Sequence, residues 1–327
     1  MLNRPAVGGS RSGLRAELAE LATEAVRPEL AELDRLSTLE IARLMNREDA
    51  LVPAAITPLL PRIALVVDAI AERMARGGRL VYAGAGTAGR LGVLDAAECP
   101  PTFRTGPGQV TALLAGGPAA LLTAVEGAED SAASAVADLE ALGPRPVDTV
   151  VGISASGRTP YAVAAVAHAR ALGALTVGLA GNRGSALGAA AEHPLEVVTG
   201  PELLAGSTRL KAGTAQKLVL NLLSTITMIR LGKTYGNLMV DLRASNEKLR
   251  ARAHRLVEQV TGAGEAEIEA ALAATGGEAK PAVLVLLGGV DAATAAGRLA
   301  EHGGRLREAL AATTLPRPDA GAEPGTP

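Results

Sequence analysis

The chain has 327 residues, 48% of them hydrophobic, which is enough for one large core with a smaller companion and too apolar for general disorder. Its net charge is −2 with basic residues scattered, and only 1% of residues are aromatic with no Trp, so neither nucleic acid nor a membrane is expected as the main partner. Cys99 is the single cysteine and the four histidines are dispersed, which excludes an internal disulfide and a thiolate metal cluster and leads us to expect no metal.

No run approaches the roughly 18 apolar residues of a membrane span and the N-terminus has no signal-peptide core, so a cytoplasmic location is expected. Residues 1–34 read as an arm, with an amphipathic stretch over 14–30 interrupted by Pro28. Ser37-Thr38-Leu39-Glu40 matches a capping box and predicts a helix to about Asn46. A longer apolar helix is predicted over 53–76, broken near Pro61 and ended by Gly77-Gly78. Strands are predicted at 80–83, 110–114, 149–153, 175–179 and 195–198, with helical stretches between them. Strands apolar on both faces that alternate with helices predict a doubly wound α/β fold, a five-stranded parallel sheet with helices on both faces. Ligands are expected above the carboxyl ends of its strands.

The first strand runs into Gly84-Ala85-Gly86-Thr87-Ala88-Gly89-Arg90. The glycines permit a tight turn, and the free amides of the following helix, with the Thr87 hydroxyl, form an anion site. That helix is expected to end near Glu98, because Pro100 and Pro101 cannot continue it, which delivers a carboxylate at a fixed break. Gly84, Gly86 and Gly89 also fit a dinucleotide fingerprint, but the second strand runs into Ala115-Gly116-Gly117 and offers no acid for a ribose, so no nicotinamide cofactor is expected. The third strand ends in Ser154-Ala155-Ser156-Gly157-Arg158-Thr159-Pro160, a second hydroxyl-rich cradle suited to a phosphate monoester. Between the cradles, Glu126, Glu129 and Asp130 surround Gly127, a pattern that alone reads as a solvated face. Lys211 and Lys217 open a long helix and could serve a sugar phosphate. Residues 236–262 look helical, three helices near 265–274, 279–287 and 291–311 form a small module, and the tail from about Pro316 is expected to be disordered.

These motifs resemble the N-acetylmuramic acid 6-phosphate etherases, lyases of the sugar isomerase (SIS) superfamily. The resemblance is carried by Ser37 to Glu40, by 84–101, 124–131, 155–160, 211–220 and 236–241, and by the tail around 271–277. It implies an arm and helix at 1–53, an SIS sugar-phosphate domain at 54–233, a connecting segment at 234–262, a small UBA-like helical module at 263–312, and a tail at 313–327. It further implies a cytoplasmic homodimer, without cofactor, that removes D-lactate from the 3-position ether of the phosphorylated sugar during recovery of cell-wall sugars.

By the resemblance Glu98 protonates the lactate oxygen and Glu129 is the base at C2. Gly86, Thr87, Gly89, Arg90, Ser154, Ser156, Gly157, Thr159 and Lys211 bind the sugar phosphate. The family commonly has serine where this chain has Ala88, which removes one hydroxyl from the first cradle. Two other readings fit a sugar-phosphate site: an SIS regulator that senses the ligand without chemistry, and an aldose-ketose isomerase, which also needs a base at C2.

Overall fold

A computed structural model describes residues 21–241 and 247–314. The chain divides into two compact units, one from Met1–Glu98 and Gly106–Thr227, the other from Cys99–Thr105 and Met228–Pro327.

In the first unit the Ser37 hydroxyl accepts from the Glu40 amide and the Glu40 carboxylate accepts from the Ser37 amide, the reciprocal cap expected at the start of α1 (Thr38–Asp49). The apolar stretch that follows is three pieces: α2 (Val52–Ile56), a tight turn at Thr57–Leu59, and α3 (Leu60–Ala75). Pro53, Pro58 and Pro61 each lie in the first turn of their piece, where a missing N–H is no loss. As a contiguous run the expectation about membrane spans holds, since Arg62 and Asp68 break the stretch, while a windowed mean reads it differently. Thr38–Ala75 holds an 18-residue window of mean hydropathy 1.9, 28% of it buried, which is long and apolar enough to cross a membrane by length and composition. The prolines and isolated charges such as Arg62 and Asp68 interrupt an uninterrupted apolar run but hardly lower a windowed mean. In the fold, α3 turns Ile63, Val66, Val67, Ile70 and Met74 into the core and leaves Leu65 67% exposed.

The strands β1 (Leu80–Gly84), β2 (Val110–Leu114), β3 (Thr149–Ser154), β4 (Leu175–Ala180) and β5 (His193–Glu196) form one parallel sheet in the order β2-β1-β3-β4-β5. Every residue of β1, β3 and β4 is buried, as a sheet covered on both faces requires. The last strand starts two residues earlier than expected: Val177 pairs with His193, which puts Pro194 in an edge strand where it costs no ladder bond.

The crossovers are α4 (Gly86–Phe103), α5 (Ala132–Ala141), α6 (Pro160–Ala171) and α7 (Ala186–Ala190), and α8 (Lys211–Arg230) follows β5. α5 and α6 bury Ala135, Leu139, Tyr161 and Ala165 against Val81, Ala83 and Val150. On the opposite face the Tyr82 hydroxyl donates to Asp95 of α4 at 2.7 Å, while Asn221 and Ser224 of α8 donate to the other Asp95 oxygen at 2.7 and 3.1 Å. α4 does not end near Glu98. It runs through Pro100 and Pro101 to Phe103, because proline's fixed φ is itself helical and the loss is confined to two donors, those that would reach the carbonyls of Ala96 and Ala97.

The amino edge of the sheet is clamped at Asp148, whose side chain has no exposed surface. It accepts from the amides and guanidinium groups of both Arg79 and Arg145. Burial pushes the carboxyl up, but this ring of donors outweighs it and holds the group at about 2.

In the second unit β6 (Thr234–Tyr235) and β7 (Leu238–Met239) pair antiparallel where helix was expected, since Gly236 at φ 58 and Asn237 make a two-residue turn. Then come α9 (Glu247–Thr261), α10 (Glu265–Ala274), α11 (Ala279–Gly288), α12 (Ala292–Glu301) and α13 (Leu306–Thr314), sharing a core of Val257, Ile268, Val283, Leu299 and Leu306. The expected helix over 291–311 is two helices, because Gly303 and Gly304 adopt φ 59 and 77 and turn the chain. The buried Lys280 ammonium donates to the carbonyls of Gly232 and Gly304 and pairs with Asp241. Most of the expected arm and the whole tail from Pro316 lie outside the described residues.

Candidate active site

From β1 the chain steps to β2 on one side and returns to β3 on the other. In a doubly wound sheet this reversal opens a crevice over the carboxyl ends of the strands. The loops leaving β1 and β3 are the two cradles read from the sequence, so topology places them on either side of one crevice.

At the first cradle Gly86 opens α4 with φ 53, and the amides of its first turn have no partners within the helix. A Cβ at Gly89 would stand 2.5 Å from the Gly84 carbonyl oxygen, so only glycine lets the helix start this close to the strand end. Thr87 is half-buried, and the start of α8 borders it: a Cβ on Gly213 would come 3.5 Å from the Thr87 methyl.

The second cradle is braced from within. Ser154, 2% exposed, accepts from the Gly157 amide at 3.0 Å and shares a hydrogen bond with the Thr159 hydroxyl at 2.8 Å. Ser156 accepts from the Arg158 amide at 3.2 Å. Ser154 is therefore a brace for the loop, while Ser156 and Thr159 remain partly open. Gly157 has φ 72 and packs on Ser185, whose Cβ would lie 2.4 Å from an added Cβ.

Two expected phosphate ligands have other partners. Arg90 donates from Nε to the carbonyls of Ala120 and Leu121 at 3.0 and 3.1 Å, which pins the segment after β2 to the first turns of α4. The Lys211 ammonium, 3% exposed, meets Glu48 at 2.6 Å, and Arg27 takes the other Glu48 oxygen at 2.6 Å. Burial alone would raise the Glu48 carboxyl, but Lys211 and Arg27 hold it below its ordinary value. Glu202 caps α8 by accepting from the amides of Lys211 and Ala212 at 3.0 and 2.9 Å.

Glu129 lies in the short turn Ala128–Asp130, entered through Gly127 at φ 73, on the segment that leaves the carboxyl end of β2. It is exposed, as are Glu126 and Asp130. Glu98 is also exposed, but twelve residues beyond Gly86 along α4, or about 18 Å of helical rise. The structure thus gathers the two cradles and the Glu129 segment at one edge of the sheet and carries Glu98 towards the other.

Residues 62–170 match the Glucokinase regulatory protein N-terminal SIS domain family, and residues 132–226 match the SIS domain family. The chain is 73% identical to an N-acetylmuramic acid 6-phosphate etherase of Streptomyces coelicolor over 91% of this chain and 96% of that relative. It is 59% identical to the etherase of Rubrobacter xylanophilus over 90% of this chain and 97% of that one, and 51% identical to one from Escherichia coli over 90% and 99%. The chain belongs to the N-acetylmuramic acid 6-phosphate etherase family.

Several side chains that build this etherase-family site escaped the sequence reading. Asp95 ties α4 to β1 and α8 one helical turn before Glu98. Its signal is an acid set directly among the apolar residues Leu94, Ala96 and Ala97. Glu48 and Glu202 fix the start of α8 from 163 and 9 residues away in sequence, and only the nearer is within the range of a local motif.

Proposed function

We propose that the chain cleaves the lactyl ether of N-acetylmuramic acid 6-phosphate, giving N-acetylglucosamine 6-phosphate and D-lactate. The observation that carries the reading is identity to curated etherases of 51–73% over nine-tenths of the chain. The two anion cradles at the β1/β3 reversal supply the phosphate site such a substrate needs. Gly86, Thr87 and Gly89 in the first, with Ser156, Gly157 and Thr159 in the second, form the binding set, and Ser154 and Arg90 hold its loops. Lys211 is left out because its ammonium is committed to Glu48.

An ether oxygen is a poor leaving group, so its departure requires both a base and an acid. Opening the sugar ring places an aldehyde at C1, which acidifies the C2 proton. Glu129 removes that proton, the electron pair forms the C2–C3 double bond, and the C3–O bond breaks. Glu98 gives its proton to the departing lactate oxygen. Water then adds its hydroxyl to C3 and a proton to C2, so the net change is hydrolysis of the ether.

The chain works as a homodimer in the cytoplasm. Support for the dimer comes from an apolar groove of about 430 Å³ lined by Pro53, Ile56, Leu60, Leu218, Leu222 and Ile226 of α2, α3 and α8. The test is coupled D-lactate release from N-acetylmuramic acid 6-phosphate by the wild type, Glu98→Gln and Glu129→Gln. Release by the wild type that falls at least a hundredfold in each variant supports the reading. Binding of the sugar phosphate with no lactate refutes it.

A further inference from the structure

Asn182, 4% exposed, lies just past the end of β4 and beside the loop that leaves β3. Its Nδ2 donates to the carbonyls of Ala155 and Ser156 at 3.1 and 3.4 Å and to the Thr23 hydroxyl at 3.1 Å. A side-chain amide nitrogen has two hydrogens for these three acceptors, so one hydrogen is shared. Its Oδ1 is buried and has no hydrogen-bond partner among the described residues. The side chain acts here as a donor alone.

The Ala155 carbonyl is held twice. The Gly181 amide donates to it at 2.9 Å, and a Cβ on Gly181 would stand 2.7 Å from the same oxygen, so only glycine allows this approach. One hydrogen bond leaves a peptide free to pivot about that contact. A second donor that also reaches the next carbonyl stops the pivot.

What this fixes is the direction of an amide. The Ala155 carbonyl and the Ser156 N–H belong to one trans peptide plane, in which they point in opposite directions. The carbonyl points towards the end of β4. Because β3 lies between β1 and β4 in the sheet, the Ser156 N–H points towards the β1 side, into the crevice that the first cradle borders. That amide has no partner among the described residues, whereas the Gly157 and Arg158 amides donate to the Ser154 and Ser156 hydroxyls. A free N–H aimed into a crevice from a hydroxyl-rich loop is a donor that suits a phosphate oxygen.

We infer that Asn182 is a positioning residue of the phosphate site: by holding the Ala155 and Ser156 carbonyls against the end of β4, it aims the Ser156 amide at the phosphate of the bound sugar. This rests on the reading of the second cradle as a phosphate site. Through Thr23 the same side chain ties the segment before α1 to that loop.

Asn182→Leu keeps the approximate shape of the side chain and removes its donors together with the unpartnered oxygen. Wild type, Asn182→Leu and Gly157→Ala are compared by KM and kcat for D-lactate release, by the Kd of N-acetylglucosamine 6-phosphate from calorimetry, and by thermal melting. Calorimetry reads the site without turnover, so its result does not depend on the etherase reading. Should Asn182→Leu fail to fold, Asn182→Ala takes its place.

If Asn182 aims the amide, KM and Kd each rise about tenfold, as expected for one misdirected hydrogen bond to a charged group. The kcat changes less than about twofold, because the phosphate is held alike in the ground state and the transition state. Unchanged KM and Kd in Asn182→Leu, beside a rise in Gly157→Ala, overturn the inference and leave the cradle a phosphate site. Unchanged Kd in both variants removes the phosphate reading of the cradle and the inference with it. A lower melting temperature with unaltered Kd gives Asn182 a structural role only and also overturns the inference.

Discussion

Replacing Asp148 by Asn tests the electrostatics of the sheet's amino edge. The carboxyl is held at about 2 against an ordinary 3.8, so folding favours its charged form. A depressed carboxyl contributes stability that is present above its unfolded value and lost as pH falls through its folded value. A shift of about 1.8 units at 1.36 kcal/mol each is worth about 2.4 kcal/mol near neutral pH, disappearing between about pH 5 and pH 1. The assay is urea unfolding of the wild type and Asp148→Asn from pH 7 to pH 2. At pH 7 the variant should be about 2–3 kcal/mol less stable, and the two should converge as the pH approaches 2. D-lactate release at 25 °C should be unchanged, because Asp148 precedes β3 and the cradle follows it at the opposite end. A difference that stays constant down to pH 2, or is under about 0.5 kcal/mol at pH 7, would refute the assignment of the shift to the Arg79 and Arg145 donors.

Lys211→Met keeps the buried stem and removes the ammonium, so it should cost about 1–3 kcal/mol in unfolding free energy while changing KM less than about threefold. A KM increase above about tenfold would return Lys211 to the phosphate site. Gly157→Ala meets both a left-handed backbone and Ser185, and should raise KM at least about tenfold and lower the melting temperature. Ala88→Ser restores the hydroxyl common in the family at the first turn of α4 and should lower KM about two- to tenfold, read from initial rates.

The parts of the fold that depend on neighbours in sequence were legible there. Gly84, Gly86 and Gly89 announced the turn at the first cradle, and Ser37 with Glu40 announced α1. Contacts between distant residues were hidden: the Glu48 partner of Lys211 lies 163 residues away, and no local pattern distinguishes an open lysine from a committed one. Pro100 and Pro101 misled in another way. Their local preference ends a helix, yet α4 is held along the sheet by Gly92 packing on Tyr82 and by the Asp95 bonds, and packing overrides propensity. Glu98 stood out by the two prolines that follow it, whereas Glu129 and the pairing of the two came only through the family resemblance.

A single carboxylate, that of Asp95, fastens β1 and α8 to α4 through three hydrogen bonds, so its loss would loosen one strand and two helices in the same event.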